Sequence, residues 1–99
     1  MKIDRDDVEK NLPKKGFRRE ESRHIYFYHE FEGQETGSYT YISHSSRTRD
    51  ISDGLLNAMR KQLRLDKTKD VVDLVECPLD GNELNNILIR NGVFSPTRK

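Results

Sequence analysis

Apolar and polar residues alternate through the middle of the chain, which is typical of β-strands. The alternation is clearest over residues 24–31, where Ile25, Phe27 and Phe31 share one side with His29 between them. The opposite side carries His24, Tyr26, Tyr28 and Glu30. We predict a strand over 24–31 whose first side faces the core, with His29 as a hydrogen-bonded residue at the edge of that core. Shorter strands are predicted over 17–20 and 38–43, and a turn with two glycines over 32–37.

Capping residues and helical spacing predict a helix on the N-terminal side of these strands. Asp4 can accept hydrogen bonds from free backbone N–H groups, and Ile3 and Val8 have the spacing of a hydrophobic staple across that cap. Pro13 removes one helical hydrogen bond, so the helix is expected to kink there or to end near Asn11. Gly16 then supplies a left-handed stop.

Three more helices are predicted after the strands. The second helix is capped at Ser52 and the third spans 67–75, while the fourth begins at a capping box of Asp80 and Glu83. The apolar positions of the second helix are Leu55, Leu56, Met59 and Leu63. The sequence therefore predicts an α+β fold of order α-β-β-β-α, in which a three-stranded antiparallel sheet packs on two helices, plus two C-terminal helices. We predict a core over residues 1–65 and a helical extension over 66–99 packed on the same domain.

Charge is distributed unevenly although the net charge is only +1. Residues 14–23 hold five basic and two acidic side chains, and residues 47–69 hold seven basic and three acidic ones. Residues 70–83 hold five acidic side chains and no basic one.

The single cysteine, Cys77, excludes an internal disulfide. The sequence has no apolar run long enough to cross a membrane and no signal-peptide core near Met1, so we expect a cytoplasmic protein that does not enter a membrane.

Candidate chemistry centres on His24. The sequence shows no phosphate-binding glycine loop and no paired metal-ligand motif, so we expect neither a cofactor nor a metal. His24 lies at a strand start next to Arg23 and close to Arg18 and Arg19. Histidine can take a proton from an RNA 2′-hydroxyl near neutral pH, and arginine can steady the charge that develops on phosphate. A histidine on a half-exposed strand is also commonly an ordinary surface residue, and basic clusters are commonly solvated.

Four segments resemble the HicA family, the small ribonuclease toxins of HicA–HicB toxin–antitoxin pairs. They are KKGF (14–17), RHIYF (23–27), ISHSS (42–46) and DISDGLLNAMRKQL (50–63), and the resemblance covers about residues 4–65. It implies a fold similar to the double-stranded-RNA-binding domain and metal-independent cleavage of mRNA. It also implies one essential histidine at the start of the second main strand, which is His24 here, and a HicB-like antitoxin partner that covers it.

The resulting hypothesis is an endoribonuclease with His24 as the catalytic acid or base. The residues expected to bind RNA are Lys14, Lys15, Arg18, Arg19, Arg23, Tyr26, His44, Arg47 and Arg49. Two alternatives stay open at this point: an RNA-binding module of the same fold without catalysis, and a protein-interaction role in which the added C-terminal helices form the working surface.

Overall fold

A computed structural model describes residues 3–43, 50–76 and 78–95. Strand β1 (Ile3–Asp4) leads into helix α1 (Arg5–Asn11) and a 3-10 turn (Leu12–Lys15). The main sheet comprises β2 (Phe17–Glu21), β3 (Ile25–Phe31) and β4 (Gln34–Ile42). Strand β5 (Asp50–Ile51) pairs with β1, and helices α2 (Asp53–Leu63), α3 (Thr68–Glu76) and α4 (Gly81–Arg90) follow. The α+β class and the α-β-β-β-α order with two added helices are confirmed.

The local sequence determines where most elements begin and end. The side chains of Asp4 and Ser52 accept hydrogen bonds from free N–H groups in the first turns of α1 and α2. Asp80 and Glu83 form the predicted capping box of α4. Helix α1 ends at Asn11, and Pro13 lies inside the 3-10 turn, where its missing N–H costs little. These caps and stops were all predicted from the sequence.

The main sheet is antiparallel with the order β2-β3-β4. Its turn is tighter than expected: only Glu32 and Gly33 connect β3 to β4, and both have positive φ, as a two-residue hairpin requires. Strand β4 therefore begins at Gln34 rather than at residue 38, and Gly37 lies within it. The predicted turn over 32–37 is too wide, because only Gly33 belongs to the turn and Gly37 lies inside β4.

One side of the sheet forms the core together with the helices. The predicted alternation is confirmed, since Ile25, Phe27 and His29 are buried, while Tyr26 and Tyr28 on the other side are only half-buried. Helix α2 packs along β4, where the Ser38 hydroxyl donates to the carbonyl of Leu63 at 2.8 Å. The apolar stripe of α2 comprises Leu56, Met59 and Leu63; the prediction that Leu55 belongs to it was wrong, since Leu55 faces solvent.

Helix α3 is joined to the start of the chain by two buried polar side chains. The Asn11 amide donates to the Val75 carbonyl at 2.6 Å, and the Lys15 ammonium donates to the carbonyls of Leu74 (2.8 Å) and Leu79 (2.5 Å). A helical carbonyl at position 74 would normally accept from the N–H of residue 78, which here is Pro78 and has none. Lys15 therefore supplies a donor that the helix lacks, and a single hydrophobic core includes residues from both parts of the chain.

In the described part of the chain, no helix is both long and apolar enough to cross a membrane.

Candidate functional site

Four tyrosines cover the side of the main sheet that faces away from the core. Strand pairing places Tyr26 opposite Tyr41 and Tyr28 opposite Tyr39, with ring centroids 5.3 and 6.4 Å apart. Along β3 the rings of Tyr26 and Tyr28 are stacked at 5.6 Å. We call these four residues the tyrosine face. Because side chains on a strand alternate with period two, all four must point to the same side once the core side is fixed.

His24 lies at one end of the tyrosine face. It closes the short turn between β2 and β3, where its carbonyl accepts from the N–H of Ser22 at 2.9 Å. Its ring centroid lies 5.0 Å from that of Tyr41 and 6.0 Å from that of Tyr26. The Nδ1 atom is buried and has no hydrogen-bond partner among the described residues. Ring packing therefore positions His24, and no described residue fixes its tautomer through a hydrogen bond to Nδ1.

Arg18 lies at the other end of the tyrosine face, and its donors are occupied. The guanidinium makes ion pairs with Glu30 (2.7 Å), Glu20 (2.5 Å) and Glu35 (2.5 Å), and its central carbon lies 5.0 Å from the centre of the Tyr28 ring. The hydrogen bond to Glu30, and then that to Glu20, raises the pKa of Arg18. Desolvation, and then the nearby charge of Glu20, raises the pKa of Tyr28. Three carboxylates against one guanidinium leave this end of the sheet with a net negative charge.

The other basic residues predicted near His24 are not gathered into one phosphate site. Arg19 points to the helix side of the sheet and pairs with Glu21 (2.5 Å) and Glu9 (3.3 Å). Lys15 is buried with its ammonium bonded to two carbonyls, so its placement gives no support to a role in RNA binding. Lys14 and Arg23 are exposed and form no ion pair with any residue that the structure describes. Tyr26, by contrast, does lie against His24.

His44, Arg47 and Arg49, the remaining residues predicted to bind RNA, lie outside the described residues. Within the described ranges, no group of three or more histidine, cysteine, aspartate or glutamate side chains is placed to hold a metal ion.

His29 faces the core and links the sheet to the C-terminal helices. Its Nδ1 lies 2.9 Å from the Thr36 hydroxyl and its Nε2 lies 3.0 Å from the Asn85 amide oxygen. A neutral ring that donates from Nε2 and accepts at Nδ1 satisfies both contacts. Burial lowers the pKa of His29, which favours this neutral form. The prediction that His29 is a hydrogen-bonded core histidine is confirmed. His29 and His24 therefore lie on opposite sides of the sheet.

The sequence interpretation missed most of the tyrosine face and the carboxylates around Arg18. Tyr39 and Tyr41 alternate in the predicted strand 38–43, so pairing that strand with 24–31 could have placed them beside Tyr28 and Tyr26. Glu30 pairs with Glu35 only because the hairpin turn has two residues. The wider turn predicted over 32–37 leaves Glu35 out of the strand, so this pairing could not be predicted from it.

Comparison of the chain with protein-family models, with curated proteins and with solved structures finds no match.

Proposed function

We propose that this chain is a HicA-like endoribonuclease that cleaves mRNA with His24 as its acid–base residue. The observation that carries the proposal is the position of His24, which precedes the central strand of the sheet on the side away from the core, inside an α-β-β-β-α order. Its Nδ1 atom is buried, so Nε2 is the nitrogen that meets a substrate. We include in the same proposal a HicB-like antitoxin partner and a cytoplasmic location.

The proposed reaction uses RNA, His24 and water. Nε2 of His24 takes the proton from a 2′-hydroxyl, and that oxygen forms a bond to the adjacent phosphorus. The bond from phosphorus to the 5′-oxygen breaks, and this oxygen receives a proton from the imidazolium or from water. The products are a 2′,3′-cyclic phosphate and a 5′-hydroxyl, so atoms and charge balance.

Among the residues that could contact the RNA, Arg23 lies in the β2–β3 turn and adjoins His24 in the chain. Lys14 is a second exposed cation without an ion pair among the described residues, but it precedes β2 and lies at the opposite end of that strand from the turn. Both can hold phosphate oxygens. Tyr26 adjoins the His24 ring and offers a surface on which an unpaired base can stack. Arg18 can contribute only if RNA phosphates displace the carboxylates that now bind it, and Arg19 would in addition have to turn from the helix side of the sheet.

The test compares the wild-type chain with His24→Ala, both in induced expression and with purified protein and RNA. We expect wild type to slow growth and to cleave RNA in the presence of a metal chelator. General acid–base catalysis typically contributes 10²–10⁴-fold, so the variant should lose roughly 100-fold or more of the rate. Leu55→Ser, an exposed change on α2, is the matched control and should keep full activity. The enzyme proposal fails if neither wild type nor variant cleaves RNA, or if both cleave equally.

A second candidate is an RNA-binding module of the same fold without catalysis. It is favoured by the ion pairs of Arg18 and Arg19 and by the carbonyl bonds of the buried Lys15, which leave few cations to hold a reacting phosphate. This function requires RNA binding that survives His24→Ala, no cleavage by wild type, and an affinity that falls as salt rises. An affinity that does not respond to salt would exclude phosphate contacts as its basis.

A further inference from the structure

The tyrosine face is an aromatic surface that keeps access to solvent. Tyr39 is 37% exposed, and the other three tyrosines are half-buried. The helices of the described structure pack on the opposite side of the sheet, with α2 along β4 and Asn85 of α4 against His29. Tyrosine is enriched in the centres of protein interfaces because it presents a large rigid area together with a polar tip.

The charges beside these rings indicate which kind of partner this surface accepts. Glu20, Glu30 and Glu35 point to the same side as the tyrosines, and their side chains are 53%, 29% and 55% exposed. Arg18 is the one cation on this side of the described strands and can neutralise only one of the three. A phosphate backbone laid across the strands at Arg18 and its three carboxylates would meet net negative charge, whereas a cationic partner would be attracted there.

Arg18 also shows what contact a cation makes on this surface. Its guanidinium lies over the Tyr28 ring at 5.0 Å while carboxylates bind its edges. The Tyr39 and Tyr41 rings on β4 have no such cation over them among the described residues, although Tyr39 lies beside Tyr28. We propose that the tyrosine face, with Glu20, Glu30 and Glu35, binds a segment of a partner protein that presents arginine or lysine side chains. The cations would stack on the exposed Tyr39 ring and pair with the carboxylates.

This binding does not depend on catalysis by His24, and the two proposals can therefore fail separately. The probe is a short synthetic peptide in which arginine alternates with serine, titrated into the isotopically labelled full chain and followed by amide chemical shifts. A glutamate–serine peptide of the same length is the charge control. A single-stranded oligouridine, tested with the His24→Ala variant so that it cannot be cut, is the nucleic-acid control.

Two pairs of variants test the tyrosine face. Each pair compares a change on this face with a similar change at an exposed residue elsewhere in the protein. Glu35→Gln removes one carboxylate beside the tyrosine face, and Glu76→Gln removes one exposed carboxylate from the end of α3. Tyr39→Ser removes an exposed ring, and Leu55→Ser removes an equally exposed apolar side chain from α2.

We expect the arginine peptide to shift amides of β3 and β4, with an affinity that falls as salt rises. Glu35→Gln and Tyr39→Ser should each weaken binding by about two- to five-fold, the range for exposed ion pairs and cation–π contacts. Glu76→Gln and Leu55→Ser should leave it unchanged. The proposal is overturned if the arginine peptide does not bind, if it shifts residues elsewhere, or if both peptides bind equally. Binding of oligouridine across the same strands with loss in Tyr39→Ser would also overturn it, in favour of nucleic acid.

Discussion

Replacing Lys15 by methionine tests whether a buried ammonium holds the C-terminal helices in place. Methionine keeps most of the apolar stem and fills a similar volume, but it removes the donor that Leu74 and Leu79 share. The Leu74 carbonyl is buried and cannot use Pro78 as a donor, so it loses its partner. A buried polar group left unpaired costs about 1–3 kcal/mol. The Leu79 carbonyl is only partly buried and can accept a hydrogen bond from water instead, so losing the bond from Lys15 costs less free energy there.

Removing a buried charge offsets part of this cost, because the lysine no longer has to be desolvated on folding. We therefore expect the free energy of unfolding to fall by about 2 kcal/mol, equivalent to roughly 8–16 °C in Tm for a chain of this size. The assay is urea unfolding followed by circular dichroism. Lys14→Met is the matched control, because Lys14 is the exposed neighbour and should change stability by less than about 0.5 kcal/mol. If Lys15→Met and Lys14→Met have the same stability, the two carbonyl bonds do not stabilise the fold and the reasoning is refuted.

Three further predictions concern stability. Burial lowers the pKa of His29 in the folded state. The contribution of His29 to stability is therefore complete above about pH 6.5, the usual pKa of histidine, and is lost as pH falls through the lower folded-state pKa. Urea midpoints should therefore decline less steeply with falling pH in His29→Gln than in wild type. Phe27 is fully buried, and Phe27→Ala should cost about 3–5 kcal/mol in urea unfolding, with a loss below 1 kcal/mol contradicting its place in the core. Asp80→Ala removes the bond to the N–H of Glu83 (2.8 Å) and should cost about 1 kcal/mol, measured as a lower Tm, whereas an unchanged Tm would mean that the cap does not stabilise α4.

Local interactions explain the part of the fold that the sequence predicts well. The caps at Asp4, Ser52 and Asp80 and the stop at Gly16 depend on residues within a few positions of one another. The alternation over 24–31 likewise decides which side of the strand is buried, and it is sufficient to predict that His29 faces the core.

The candidate site was harder to predict because its charges meet across strands and helices. Lys15 and Arg18 are both basic residues near His24 in the chain, yet one is buried against carbonyls 59 and 64 positions away and the other is bound by three carboxylates. Neither outcome is visible in a local count of charges. The short strands β1 and β5 were also missed, because two residues per strand give no periodic pattern.

The hydrogen bond between Asn11 and Val75 has a consequence for the order in which the chain is made. The two residues are 64 positions apart, and helix α1 packs against α3 as well as against β1. During synthesis helix α1 leaves the ribosome well before α3, which supplies the carbonyl that pairs with the buried Asn11 amide. Contacts of this kind carry a large loop-closure cost and form late. Helix α1 therefore completes its packing only after the chain has emerged as far as α3.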